Sequence, residues 1–387
     1  MSGSSRRARN CAFWAAVAMA LAFGSQALTV WANYGGNWTG LFCTGSRLPI
    51  PPALSSERIY VFQDSEGYDG QFYHYIAHDP FLQHGFARHI DAPRLRYRRI
   101  LVPLLAWLFG GFGRWVHAAY IAVNLAFVFA GGYWLARCFE FRGMHPAWGL
   151  SILAIPGVVI SLDRLVLDGA LSALTAGFVW YRLAGPPPML FAVVAAAPLV
   201  RETGLLLTGA AVLEALGRSR WRSAVQYAAS ALPALGWFAY VQAHTSAPGG
   251  GPRLLALPLM GIYQRLFLPS GYHWHAAASA LAQALDWVAT AGALLVTALA
   301  LRGLALRRDA LAFALALYGL LLLMLRLEFW LDAYSYGRMI SPVLVLLLAA
   351  DWNMDLRWPL AGAALMLPRI GLQLGWQLLG VLRRIAG

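Results

Sequence analysis

Long apolar runs, most of them closed by arginines, alternate along this chain with shorter polar segments. A helix rises about 1.5 Å per residue and the hydrocarbon layer of a bilayer is about 30 Å thick, so about 20 consecutive apolar residues mark a crossing. The first such run extends from about Cys11 to Trp31. Others fall near 115–137, 146–162, 165–184, 188–200, 203–217, 223–242, 278–302, 309–329, 338–351 and 358–375. The pattern predicts an all-α polytopic membrane protein with about eleven transmembrane helices, built as a single integral membrane domain over residues 1–387.

Arg6, Arg7 and Arg9 precede the first run, which places its start in the cytoplasm by the positive-inside bias. That run exceeds the 7 to 15 residues usual for a signal-peptide core, so a retained anchor is expected rather than a cleaved leader. Threading onward puts Arg137, Arg142, Arg182, Arg218, Arg302, Arg307 and Arg357 on the cytoplasmic side. Residues 33–114 then form a large first outer loop, and 243–277 a second. Within the first loop, 99–111 is apolar but short and contains Pro103, which predicts a helix lying at the membrane interface. The runs 188–200 and 203–217 are also short, and they meet at Arg201 and Glu202. Half-length helices around a polar break are tolerated at membrane depth only where they are buried in protein or line a wet cavity.

Composition sharpens this reading. Apolar residues make up 59% of the chain and charged residues only 12%, against about 25% charged in soluble domains. All 30 basic residues are arginine, for a formal charge of +13, yet they flank the apolar runs and no nucleic-acid-binding pattern accompanies them. The expected partner is therefore the lipid bilayer, with no nucleic acid. Cys11, Cys43 and Cys138 share no spacing that would suggest a zinc ribbon or a disulfide framework.

An ionisable group inside a span costs about 2.5–3.5 kcal/mol on insertion scales, so each one is a candidate site residue. Asp163, Arg164, Asp168, Arg201, Glu202, Arg326, Glu328, Asp332 and Arg338 all fall at the outer ends of the expected spans. Their shared depth predicts an outward-facing polar chamber. The first outer loop carries the densest motif, GYDGQFYHYIAHDP over residues 67–80. In it Asp69 sits beside a glycine, reachable as a general base or a ligand, and Tyr68, Tyr73 and Phe72 offer flat faces to sugar rings. His74 and His78 stand four apart, followed by Asp79, so a divalent metal is conceivable, although the pattern does not itself support one. His273 and His275 in the second outer loop read as surface or interface residues.

The string GYDGQFYHYIAHDP, with YRRILVPLLAWL at 97–108, LVRETGLL at 199–206 and YSYGR at 334–338, resembles the bacterial multi-pass family of cell surface glycopolymer formation proteins. That family is similar in layout to glycosyltransferases of GT-C architecture, which use polyprenyl-phosphate sugars at the outer membrane face. The resemblance implies inverting transfer of a sugar to a glycan acceptor, with Asp69 of the first outer loop as the acidic residue that takes the proton from, or orients, the acceptor hydroxyl. It implies that Arg94, Arg96, Arg98, Arg99 and Arg338 receive the lipid phosphate, with Tyr68, Gln71, Tyr73, Arg201, Glu202, Glu328, Asp332 and Tyr334 around the substrates. No metal is assigned by it, and the cofactor is left unknown. The implied location is the bacterial inner membrane, with the active face periplasmic or extracellular. Two other functions remain open: a transporter or flippase for a lipid-linked glycan, and a non-catalytic component of a polysaccharide synthesis complex.

Overall fold

The computed structural model describes residues 3–111, 113–246, 255–268, 272 and 275–386. His273 and residues 247–254 and 269–271 of the expected second outer loop lie outside the described residues. The chain is all-α, 78% of it helical. In order, the helices are α1 (Gly3–Asn33), α2 (Asp69–His78), α3 (Pro93–Arg98), α4 (Leu101–Gly110), α5 (Trp115–Phe141), α6 (Pro156–Arg164), α7 (Asp168–Leu183), α8 (Pro187–Val200) and α9 (Leu205–Gly217). They continue as α10 (Trp221–Ala229), α11 (Leu232–His244), α12 (Met260–Phe267), α13 (Ala276–Leu306), α14 (Ala310–Leu323), α15 (Leu327–Leu331), α16 (Ala333–Ala349), α17 (Arg357–Gln373) and α18 (Gly375–Ala386). Among the described residues the one sheet is a pair of two-residue parallel strands, β1 (Thr44–Gly45) and β2 (Val61–Phe62).

The eleven expected crossings are not borne out. Among the described residues, three helices are long and apolar enough to cross a membrane, Ala8–Asn33, Trp115–Phe141 and Ala276–Leu306. The count rises to five if two bent pairs each form one span: Pro146–Ala154 with α6, bent by 61°, and α17 with α18, bent by 64°. The other apolar runs are broken by backbone chemistry that a hydropathy average does not register. The 14 residues of α8 and of α14 rise about 21 Å each, well short of the hydrocarbon thickness. The run near 223–242 is split between α10 and α11 at Ser230 and Ala231, and the run near 146–162 is split where Pro156 opens α6. The expected short interfacial segment is the ten-residue α4, packed against α2 and α5.

Helix α16 runs through the centre of the molecule, with only Ser335 and Arg338 short of full burial, and α6, α7, α13, α14 and α17 pack around it. Helix α7 is likewise buried from Asp168 to Trp180. At the periphery the pattern inverts. Helix α1 presents Phe13, Leu21, Phe23, Leu28 and Trp31 outward, and only 28% of its apolar window is buried. An apolar face of that length left uncovered is compatible with a lipid environment.

Candidate functional site

The GYDGQ segment is a backbone clamp that presents one carboxylate. Gly67 has φ +75°, and a Cβ there would stand 2.5 Å from the Cys43 carbonyl oxygen, so only glycine fits. Tyr68 is extended and its N–H donates to that same carbonyl at 2.9 Å. A Cβ on Gly70 would run into the Arg164 carbonyl. Gln71, expected at a substrate, is buried and holds the turn instead: its Nε2 donates to the Glu66 carbonyl at 2.7 Å and its Oε1 accepts from the Gly45 N–H at 3.2 Å. Asp69 is thereby fixed as the first residue of α2, where the unpaired N–H groups favour negative charge.

Each oxygen of Asp69 meets a different guanidinium. Arg96 of α3 lies 2.9 Å from Oδ1, and Arg338 of α16 donates to Oδ2 at 2.6 Å. Arg96 also grips Asp91 at 2.9 and 3.0 Å and sits 4.9 Å over the Phe72 ring. Arg338 approaches Asp168 at 3.9 Å and lies 5.3 Å over the Tyr68 ring, and Asp168 in turn is ion-paired with Arg201. Beside this chain of charges, Arg99 pairs with Glu202 at 3.0 Å and donates to the Tyr73 hydroxyl at 2.9 Å. Residues far apart in sequence are joined because α8 ends at Arg201, whose extended backbone turns the chain before α9 begins. Burial alone would raise the Asp69 pKa, but the Arg96 and Arg338 guanidiniums outweigh it and hold the carboxyl well below the usual range.

These groups open onto a cavity of about 450 Å³ lined by Asp69, Arg96, Arg99, Arg201, Glu202 and Arg338 on its polar side. Arg326 and Glu328 stand at the same cavity, and Leu95, Leu255, Leu321, Leu325 and Phe329 supply apolar wall. In all, five arginines and three carboxylates line the cavity, and Asp91 and Asp168 pair with Arg96 and with Arg201 and Arg338, so the charges balance until an incoming anion competes for the guanidiniums. The apolar wall gives that anion a hydrocarbon neighbour.

The structure sets other expected residues apart. Arg94 donates to the Thr245 carbonyl at 2.7 Å and Arg98 lies 5.5 Å over the Phe238 ring, so both fasten α3 to α11 and its end. Asp332 caps α16, accepting from the N–H of Tyr334 at 3.2 Å and of Ser335 at 3.0 Å. Tyr334 donates to Asp163 at 3.0 Å and, with Tyr68, lines a second cavity of about 510 Å³ that also holds Tyr34, Tyr60, Arg164 and Trp376. The Tyr68 ring thus stands between Arg338 and this aromatic chamber. Asp79 does not join His74 and His78: it accepts from the N–H groups of Gln83 and His84 at 2.7 and 3.0 Å. His275 is exposed at the start of α13.

Sequence reasoning singled out Asp168 as a charge at a span end but gave it no role, whereas it links Arg201 to Arg338. Asp91, one of several acids of the first outer loop, was given no role, and the leucines of the wall were missed, since nothing in an apolar run distinguishes them from lipid-facing ones. No family model, curated protein or solved structure matches the chain.

Proposed function

We propose that the protein is an inner-membrane glycosyltransferase that transfers a sugar from a polyprenyl-phosphate donor to a glycan acceptor in cell-surface glycopolymer assembly, with inversion. One observation carries this reading: a single carboxylate, Asp69, held between two guanidiniums at a cavity lined by five arginines, with one wall apolar. A lipid phosphate needs that combination, since guanidinium forks match phosphate oxygens and the isoprenoid chain needs hydrocarbon contact.

In the clamped state Asp69 is a weak base, because its charge is already satisfied by Arg96 and Arg338. A phosphate entering the cavity competes for the same two guanidiniums. Once it draws Arg338 away, the Asp69 carboxylate is freed and its basicity rises, so base activation is tied to donor binding. The acceptor hydroxyl oxygen then bonds to the anomeric carbon as the bond from that carbon to the phosphate oxygen breaks. The phosphate keeps the electron pair, stabilised by the arginines, and the hydroxyl proton passes to Asp69 and on to water. The aromatic chamber beyond Tyr68 is where the acceptor sugars would stack.

A second reading, passage of a lipid-linked glycan across the membrane, draws on the broken α8–α9 pair, since discontinuous helices also build transporter sites. The test is transfer of radiolabelled sugar from polyprenyl phosphate to acceptor by the protein in detergent, where transport has no meaning. The expected result is transfer with inverted anomeric configuration, reduced about 100-fold or more in Asp69→Asn. A protein that binds the donor but transfers nothing would favour passage, and undiminished transfer by Asp69→Asn would remove the catalytic role of the carboxylate.

A further inference from the structure

Away from the arginine-lined cavity, four potential ligands from three elements meet. His74 and His78 lie one turn apart on α2, His117 is in the first turn of α5, and Glu57 ends the short helical turn Pro52–Glu57. One ligand atom from each lies within 4.8 Å of all the others. His117 Nε2 is 2.8 Å from Glu57 Oε2, His78 Nε2 is 3.6 Å from the same oxygen, and the Nε2 atoms of His74 and His78 are 3.2 Å apart. Each of the four side chains is nine-tenths or more buried. Hydrogen bonding accounts for the cluster only in part: His117 Nε2 and Glu57 Oε2 are 2.8 Å apart but poorly aligned, and His74 Nδ1 is buried with no hydrogen-bond partner.

We propose that Glu57, His74, His78 and His117 form a structural site for a borderline divalent transition metal, zinc foremost. Ligands about 2.0–2.1 Å from a tetrahedral zinc stand about 3.3 Å from one another; three of the six separations, 2.8, 3.2 and 3.6 Å, bracket that value, and none exceeds 4.8 Å. Three imidazoles with one carboxylate select zinc, iron or nickel over calcium or magnesium, which prefer all-oxygen sets. Four protein ligands close the shell, which marks a structural rather than a catalytic metal. The rings are held in place, His74 stacked on Phe42 at 4.1 Å and His78 parallel to Phe86 at 6.0 Å. Such a metal would staple α2, the helix that begins with Asp69, to the start of α5 and to the loop before it. The proposal stands independently of the transferase reading.

The test is metal content of the full chain, purified in detergent with a tag free of histidine after growth in zinc-replete medium. The expected result is about one zinc per chain, replaceable by Co²⁺ with the intense visible bands of a four-coordinate ion. His78→Gln combined with His117→Gln is expected to lower zinc at least tenfold, while the exposed His244→Gln retains it. Should the double variant fail to fold, the unmutated protein still decides the matter: Co²⁺ titration must give saturable bands at about one equivalent. Wild-type protein with less than about a tenth of an equivalent of zinc and no Co²⁺ bands would overturn the proposal, as would full zinc retention by a folded double variant.

Discussion

Asp69 owes its character to its two neighbours more than to its own position. With Arg96 at 2.9 Å and Arg338 at 2.6 Å, and a side chain only 19% exposed, it stays ionised throughout the neutral range. Its folded pKa lies below the unfolded value of about 3.9, so the stability it contributes is fully present above that value and is lost as pH falls through the folded pKa. The difference in unfolding free energy between wild type and Asp69→Asn should therefore be flat from about pH 5 upward and shrink only below about pH 4, as followed by denaturant unfolding across pH. A gap that changed between pH 6 and 8 would mean that another group carries the linkage. Arg338 faces two carboxylates at once, Asp69 and Asp168, so its removal strands charge in a poorly hydrated place. Arg338→Ala is expected to cost about 3 kcal/mol or more, whereas Arg338→Lys keeps the charge and loses the fork. Lysine should then retain most of the stability but lower donor turnover at least tenfold, a separation that thermal unfolding and the transfer assay read together.

At the scale of the element, the GYDGQ turn was legible as important but not as what it is. The glycines around Asp69 read as turn residues, and the reason they cannot be replaced is a crowding of backbones from Cys43 and Arg164, residues up to about a hundred positions away that no local pattern reveals. Gln71, beside the motif, and Asp332, a charge at the outer end of an expected span, looked like substrate ligands, yet Gln71 bonds to backbone groups and Asp332 caps α16 and accepts from the Ser335 and Gln373 side chains. Gly70→Ala is expected to destabilise the fold by about 1–3 kcal/mol, since its Cβ meets a fixed carbonyl and not a movable side chain. A lowered midpoint of thermal unfolding, with donor turnover reduced as α2 shifts, is the expected observation. An unchanged midpoint would show that the turn has room to spare. The break at Arg201, by contrast, was readable in advance, because two apolar runs each too short to span enclosed a charged pair.

For the whole molecule, the all-α class follows from the long apolar runs, whereas the number of crossings does not. Hydropathy counts apolar residues and ignores where Pro156 opens a new helix or where α14 stops at Leu323. The charges are nonetheless layered. Asp168 and Arg182 bracket α7, fourteen residues or about 21 Å apart, the first joined to Arg201 and the second to Glu214. That layering predicts that the loop before α2 and the turn after α9 lie on opposite sides of the membrane. Because Cys11, Cys43 and Cys138 are all buried, single cysteines placed at exposed Gln63 and Arg220 report this directly. Gln63→Cys should react with an impermeant maleimide in intact cells and Arg220→Cys only after the membrane is opened. The reverse pattern would turn the cavity toward the cytosol.

Recognition of lipid phosphate by the arginines around Asp69 is tested most directly by titrating short-chain polyprenyl phosphate into the purified protein and into Arg96→Ala and Arg338→Ala. The account predicts saturable binding by the wild type and a Kd at least tenfold weaker in either variant, about 1.4 kcal/mol for each factor of ten. Equal affinity in all three proteins, or no binding by the wild type, would contradict it.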